Sequence, residues 1–293
     1  MKQIALSGYH PAVTLVYFLL VLLCTMCFMH PVALGLSLLG GLCLAGLCEG
    51  IRNLRRQFAY LLPLIGFTAV VNALLVREGA TIWLRLFGRF PLTVESAIFG
   101  LTAGIMLSAV FLWFSAFNKI MSTDKLLFLF GGRAPHLALL LTMSLRFIPT
   151  LRRQWRQVAF AQAGVGRNLH GASVRQRFER ATAILSVVLT WSLEQAADTA
   201  DSMKSRGYGL PKPGSYVRYH LEQQDIFLLL FCLLCGTLIT VGWSLGGISW
   251  SFYPTLSVDI KQSGLLLING YTLLCIVPHF LQRKEARSWP SSK

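Results

Sequence analysis

Two cysteine pairs, Cys24/Cys27 and Cys232/Cys235, have the CxxC spacing that in an exposed loop would hold zinc or cycle a disulfide. Both pairs lie inside apolar runs, and no histidine or carboxylate flanks either of them. They read as small apolar filler at helical spacing. The histidines (His10, His30, His136, His170, His220, His279) are scattered, with no HExxH and no carboxylate at metal spacing. A phosphate-cradling GxxxxGK[ST] is missing, because Gly41-Leu42 follow the glycine pair Gly35 and Gly40. The pair Gly164 and Gly166 lacks the strand that a dinucleotide site needs in front of it. The apolar runs hold almost no carboxylates, with Glu49 and Glu95 only at their ends. Acid–base, metal and nucleotide chemistry therefore have no residues to run on. The chain is expected to be non-catalytic and to bind no cofactor of its own.

Two short segments keep a possible contact chemistry. Gly164-Val165-Gly166-Arg167 and Ser205-Arg206-Gly207 each combine a glycine break with an arginine. A guanidinium is a rigid fork of donors, suited to a carboxylate or to the carbonyls at a helix end. Taken alone, Arg206 is a helix cap that offsets the macrodipole by about 0.3–1 kcal/mol. Glu194, Asp198 and Asp201 approach it along the same helix and could hold its orientation.

The elements that must position these segments are mostly built for lipid. The 293 residues are 54% hydrophobic and 13% charged, whereas soluble domains carry about 25% charged residues. The net charge of +15 reads as the cytoplasmic bias of a membrane protein. No basic stretch is interleaved with stacking aromatics, so nucleic acid is not an expected partner. Residues 1–9 show no removable signal peptide. Apolar runs cover 11–29, 31–48, 58–76 and 92–117, then 226–243 and 264–280, each about long enough to cross ~30 Å of hydrocarbon. Arg52-Asn53-Leu54-Arg55-Arg56 reads as a compact cationic turn on the cytoplasmic side, and 77–90 as an amphipathic linker at the headgroup level. Parity then puts 122–150 at the interface or packed under the membrane part. Six spans with both termini inside leave only Arg77, Arg85, Arg89 and Lys261 of the 27 Lys and Arg outside. The small-residue stripes Ser37/Gly41/Ala45 and Gly100/Gly104/Ser108 point to close packing within the chain rather than to a partner.

The resulting fold class is an all-α integral membrane protein. It divides into a membrane domain over 1–118, a coupling domain over 119–222, and two further spans with a basic tail over 223–293. The coupling domain holds two long helices, from about Pro135 to Gly164 and from about Ser173 to Arg206, joined by a turn at 168–171. Ser173 is the expected N-cap. Gly207, followed by Pro211 and Pro213, is the expected stop. Ala159, Ala163 and Gly164 on the first helix and Ala196, Ala197 and Ala200 on the second read as facing stripes at a close crossing.

The run from Ser192-Leu193-Glu194 through Ser205-Arg206-Gly207-Tyr208-Gly209 resembles the second Ala-Arg-Gly motif of CbiQ-like T components, the transmembrane coupling subunits of energy-coupling factor (ECF) ABC transporters. Ser205 stands for the alanine. Leu145-Arg146-Phe147-Ile148-Pro149, Ala161-Gln162, Asn72-Ala73-Leu74-Leu75 and His10-Pro11 fit the same family, and the likeness covers about residues 9–208. The first motif departs: Gly164-Val165-Gly166 replaces Ala-Arg-Gly. Either Arg167 serves one position later or this tip makes its contact without a charge. The resemblance implies a complex with two cytoplasmic ATPases, alike or different, which bind ATP and Mg, and with a substrate-binding S component in the membrane. It implies uptake of a vitamin or metal ion across a prokaryotic plasma membrane. The competing reading is a self-contained permease, which would place ionisable groups or broken helices at membrane depth.

Overall fold

The computed structural model describes residues 5–76, 81–86, 90–131, 134–166, 173–209, 219–246, 248–252, 257–260 and 262–288. A short 3-10 turn, Ala5–Ser7, precedes α1 (Pro11–Cys27), α2 (Pro31–Glu49) and α3 (Ile51–Leu75). The hairpin β1 (Ile82–Leu86) and β2 (Phe90–Thr93) leads into α4 (Val94–Ile120) and α5 (Thr123–Gly131). Two long helices follow, α6 (Pro135–Gly164) and α7 (Val174–Ser205). After them come α8 (Gln223–Ser244), the hairpin β3 (Ile248–Ser251) and β4 (Ser257–Ile260), and α9 (Gln262–Ser288). Both hairpins are antiparallel.

Among the described residues, α2, α3, α4, α8 and α9 are long and apolar enough to cross a bilayer, while α1 is apolar but only 17 residues long. The chain is an all-α membrane protein whose two hairpins lie between spans. Its contacts divide it into a membrane unit, Met1–Leu126 with Tyr219–Lys293, and a second unit, Leu127–Arg218.

In the membrane unit α4 packs on α1, α2 and α3, and α9 packs on α2 and α8. The core gathers Tyr17, Phe18 and Val21 of α1, Trp113 and Ala116 of α4, Cys232, Cys235 and Ile239 of α8, and Tyr271 and Leu274 of α9. Four buried polar side chains tie three spans and α1 together inside that core. Thr25 Oγ1 lies 2.7 Å from Tyr271 OH and 3.2 Å from Ser37 Oγ, and Trp113 Nε1 donates to Ser37 Oγ at 3.0 Å. Interhelical bonds of this kind contribute about 0.6 kcal/mol each on average.

Both small-residue stripes are internal. Ser37 holds Trp113, and a β-carbon on Gly41 would come 3.1 Å from Leu112 Cβ. A β-carbon on Gly104 would fall 2.9 Å from Ile65 Cα and against Thr68 Oγ1 of α3. Bare backbone at Gly41 and Gly104 is what lets α4 approach α2 and α3. The outer side of α3 stays open, with Leu62, Phe67 and Val70 exposed.

The start of α1 is fixed from a distance. His10 caps the helix through Nδ1, which accepts from Ala12 N at 3.2 Å, and the His10 N–H donates to Asp225 Oδ1 at 2.8 Å. Asp225 also accepts from the Glu222 N–H at 3.0 Å and is itself buried, so one carboxylate anchors the starts of α1 and α8. Lys125 closes the same region: its Nζ donates to Ser7 O at 2.6 Å, and burial pushes its pKa below the usual lysine value.

One expectation is corrected. Residues 52–56 are not a turn but lie in the first turns of α3. The turn is Gly50 alone, with φ 78 and ψ 164; its N–H donates to Gly46 O at 3.0 Å and its carbonyl accepts from Leu54 N at 3.2 Å. A glycine at positive φ reverses the chain in one residue, which frees the basic residues to start a helix. The linker over 77–90 holds β1 and reaches the first residue of β2, a hairpin for which no expectation was made. Ile82-Trp83-Leu84 is β-prone, and pairing with 90–93 satisfies its backbone, which a lone segment could not do.

Candidate functional site

The second unit is built on α6 and α7, which pack against each other. α6 starts at Pro135, with proline in the first turn where no N–H is missed. α7 starts with a full capping box: Ser173 Oγ accepts from Gln176 N at 3.4 Å, and Gln176 Oε1 accepts from Ser173 N at 3.4 Å. Its contact face runs through Ile184 and Val188, which are buried, with Trp191, Ser192 and Gln195 half-buried along the same row. That row ends near Gln195.

The expected stripe of Ala196, Ala197 and Ala200 is exposed, not packed. These alanines lie off the Ile184–Val188 row by helical spacing, so they cannot face the same neighbour. The last three turns of α7 therefore present a bare helix end.

That end is closed by backbone alone. Gly207 N donates to Lys204 O at 3.0 Å, and Tyr208 N donates to Met203 O at 3.0 Å, the paired bonds of a Schellman cap. Gly207 has φ 81, the left-handed value that this cap demands. Arg206 is the C-cap residue, and its own N–H is shared between Ser202 O and Met203 O. Its guanidinium is not used by the cap and is exposed, as are Ser205 and Tyr208.

α6 ends the same way as far as it is described. Gly166 has φ 79 and donates from its N–H to Ala163 O at 3.0 Å. Val165 is the C-cap residue, 78% exposed, so it stands where Arg206 stands in α7. Gly164 has open space around it. Arg167 lies outside the described residues. Beside this tip Gln162, Gln176, Glu179, Arg180 and Ala183 line a groove of about 400 Å³, with Arg175 paired to Glu179 at 3.2 Å. No group of three potential metal ligands occurs among the described residues.

The family described as CbiQ, cobalt transport protein, matches residues 5–216, a stretch that includes both helix ends. The chain belongs to the CbiQ family. The energy-coupling factor transporter transmembrane protein of Exiguobacterium sibiricum is 28% identical over 208 residues, covering 64% of this chain and 75% of that one. Its Lactobacillus helveticus counterpart is 28% identical over 190 residues, 60% of this chain and 69% of the relative. A Bifidobacterium longum protein described as an ABC transporter ATP-binding protein is 26% identical over 189 residues, 60% of this chain but 24% of that protein. This CbiQ-family chain is a T component, the energy-coupling transmembrane subunit of an ECF transporter.

For the CbiQ chain the caps explain why the motif has its glycine. A left-handed residue after the C-cap turns the backbone off the helix axis and lets the cap close on backbone bonds, which leaves the Arg206 guanidinium out of the cap. Sequence reasoning found that residue in α7. It had no signal for Asp225, whose partner His10 is 215 positions away.

Proposed function

We propose that this T component transmits the ATP-driven motion of two cytoplasmic ATPase subunits to a separate substrate-binding S component, for uptake of a vitamin or a metal ion. The chain itself catalyses nothing; ATP and Mg are bound by the ATPases. One tip, Ser205-Arg206-Gly207, docks in a groove of one ATPase, and Gly164-Val165-Gly166, with Arg167 following, docks in the other. Membership of the family supports the reading, and so does the Bifidobacterium longum relative, where a segment like this chain belongs to a protein described as ATP-binding.

The observation that carries it is the bare end of α7, a 32-residue helix closed by backbone bonds with Arg206 exposed at its cap. A helix hydrogen-bonded along its length moves as a rod, so a displacement at its tip reaches its packed segment at Ile184 and Val188. Approach and separation of the ATPases then shift α6 against α7. Exposed apolar residues at the start of α6, Leu137 and Leu140, form the platform for the S component. The reading puts both chain termini on the cytoplasmic side of a prokaryotic plasma membrane.

The test is Arg206→Glu in the assembled transporter, with ATPase co-purification and substrate uptake measured together. Reversing the charge turns an attraction to a groove carboxylate into repulsion, and both readouts should fall. Undiminished association and uptake would remove Arg206 from the coupling contact. Binding of a transported substrate by the purified chain alone would favour a self-contained permease instead.

A further inference from the structure

We propose that one face of α6 binds anionic phospholipid headgroups through arginines. α6 carries Arg146, Arg152, Arg153 and Arg156 and no Asp or Glu. Arg152 and Arg156 are four residues apart, Arg153 and Arg156 three, and Arg146 and Arg153 seven, which puts all of them on one side of the helix. Every one of these arginines is exposed. The half-buried positions Phe147, Thr150, Gln154 and Val158 recur on the opposite side. The cationic side is thus the one that α6 does not pack with.

The same side carries apolar residues at both ends. Phe160, one turn beyond Arg156, is 83% exposed, and towards the helix start the side continues as Leu141 and Leu145, also exposed. A solvated arginine row explains none of these. At a lipid boundary a phenylalanine ring and leucines enter the acyl region while guanidinium groups hold phosphate. The basic residues are all arginine, whose fork suits a phosphate diester in two-point contact.

A folded acidic partner is the competing occupant. Contacts between folded surfaces use both signs of charge to set register, as the far end of α7 does with Glu194, Asp198, Asp201, Lys204 and Arg206. The α6 face has one sign only. It matches a surface of many equivalent phosphates, where register does not matter. This site needs no ATPase, and it stands whether or not Arg206 docks one.

The experiment titrates the purified full chain with dioctanoyl phosphatidylglycerol, dioctanoyl phosphatidylcholine and inorganic phosphate. Phosphatidylglycerol should bind more tightly than phosphatidylcholine, and inorganic phosphate should not displace it. The triple variant R152Q/R153Q/R156Q should weaken phosphatidylglycerol binding on the order of a hundredfold, at about fivefold per arginine. Arg55→Gln with Arg56→Gln, exposed basic residues on α3, should leave it unchanged. Phe160→Ser should weaken it with no change in charge, and Arg156→Gln alone serves if the triple variant fails to fold. Equal affinity for the two lipids, displacement by phosphate, or an equal loss from the α3 pair overturns the proposal. So does a triple variant that keeps its lipid affinity but loses a co-purifying ATPase, which would assign the face to an acidic protein.

Discussion

Gly207→Val separates the conformation of the α7 tip from its charge. Gly207 sits at φ 81, where a side chain with a β-carbon costs roughly 1–2 kcal/mol. The residues from Ala196 to Arg206 are mostly exposed, so the strain should be relieved by fraying of the last turn rather than by unfolding of the chain. If only the capped geometry docks, the apparent dissociation constant rises as the docking-competent fraction falls. A penalty of that size corresponds to about a 5–30-fold weaker ATPase affinity. The assay is binding of purified ATPase subunits to the chain in nanodiscs, with the thermal unfolding midpoint as the control. Gly207→Asn should fall between wild type and Gly207→Val, because asparagine tolerates the left-handed region. Arg206→Ala keeps the backbone cap but removes a charge-assisted contact, a loss of about 1.5–3 kcal/mol. Combined with Gly207→Val it should add little, since the two changes disable one unit. Wild-type affinity in Gly207→Val, or simple additivity of the pair, would refute the claim that docking requires the capped tip.

Two further outcomes test the membrane unit. Gly104→Ala puts a β-carbon 2.9 Å from Ile65 Cα, so α3 must shift, and the chain should lose about 1–3 kcal/mol, read as a lower unfolding midpoint in detergent. Asp225→Asn sets an amide against one of the two N–H groups that the buried carboxylate accepts from, His10 and Glu222; a cost of about 1–3 kcal/mol is expected, and an unchanged midpoint would show that the anchor contributes nothing.

The two long helices were legible because their ends are written in local chemistry. Pro135 opens α6, Ser173 with Gln176 opens α7, and Gly166 and Gly207 close them; each signal acts within four residues of itself. Cys232 and Cys235 were legible as filler for the same kind of reason, since they sit in an apolar helix and are buried there. The basic stretch after Gly50 was misread as a turn because one glycine does the turning, and charge says nothing about where a helix starts. The hairpin β1–β2 was missed because strand pairing satisfies backbone that hydropathy cannot see.

What the sequence determined by itself is the class of molecule, an apolar helical chain with two glycine-capped rods, because composition and capping are local properties. Only the tertiary structure decided which small residues meet a neighbour. Gly104 packs against α3 and Ala200 is exposed, although both lie in stripes of small residues. Only the fold, too, joined His10 to Asp225 and Thr25 to Tyr271. Such pairs form when distant segments are brought within about 3 Å, and nothing in either segment names the other.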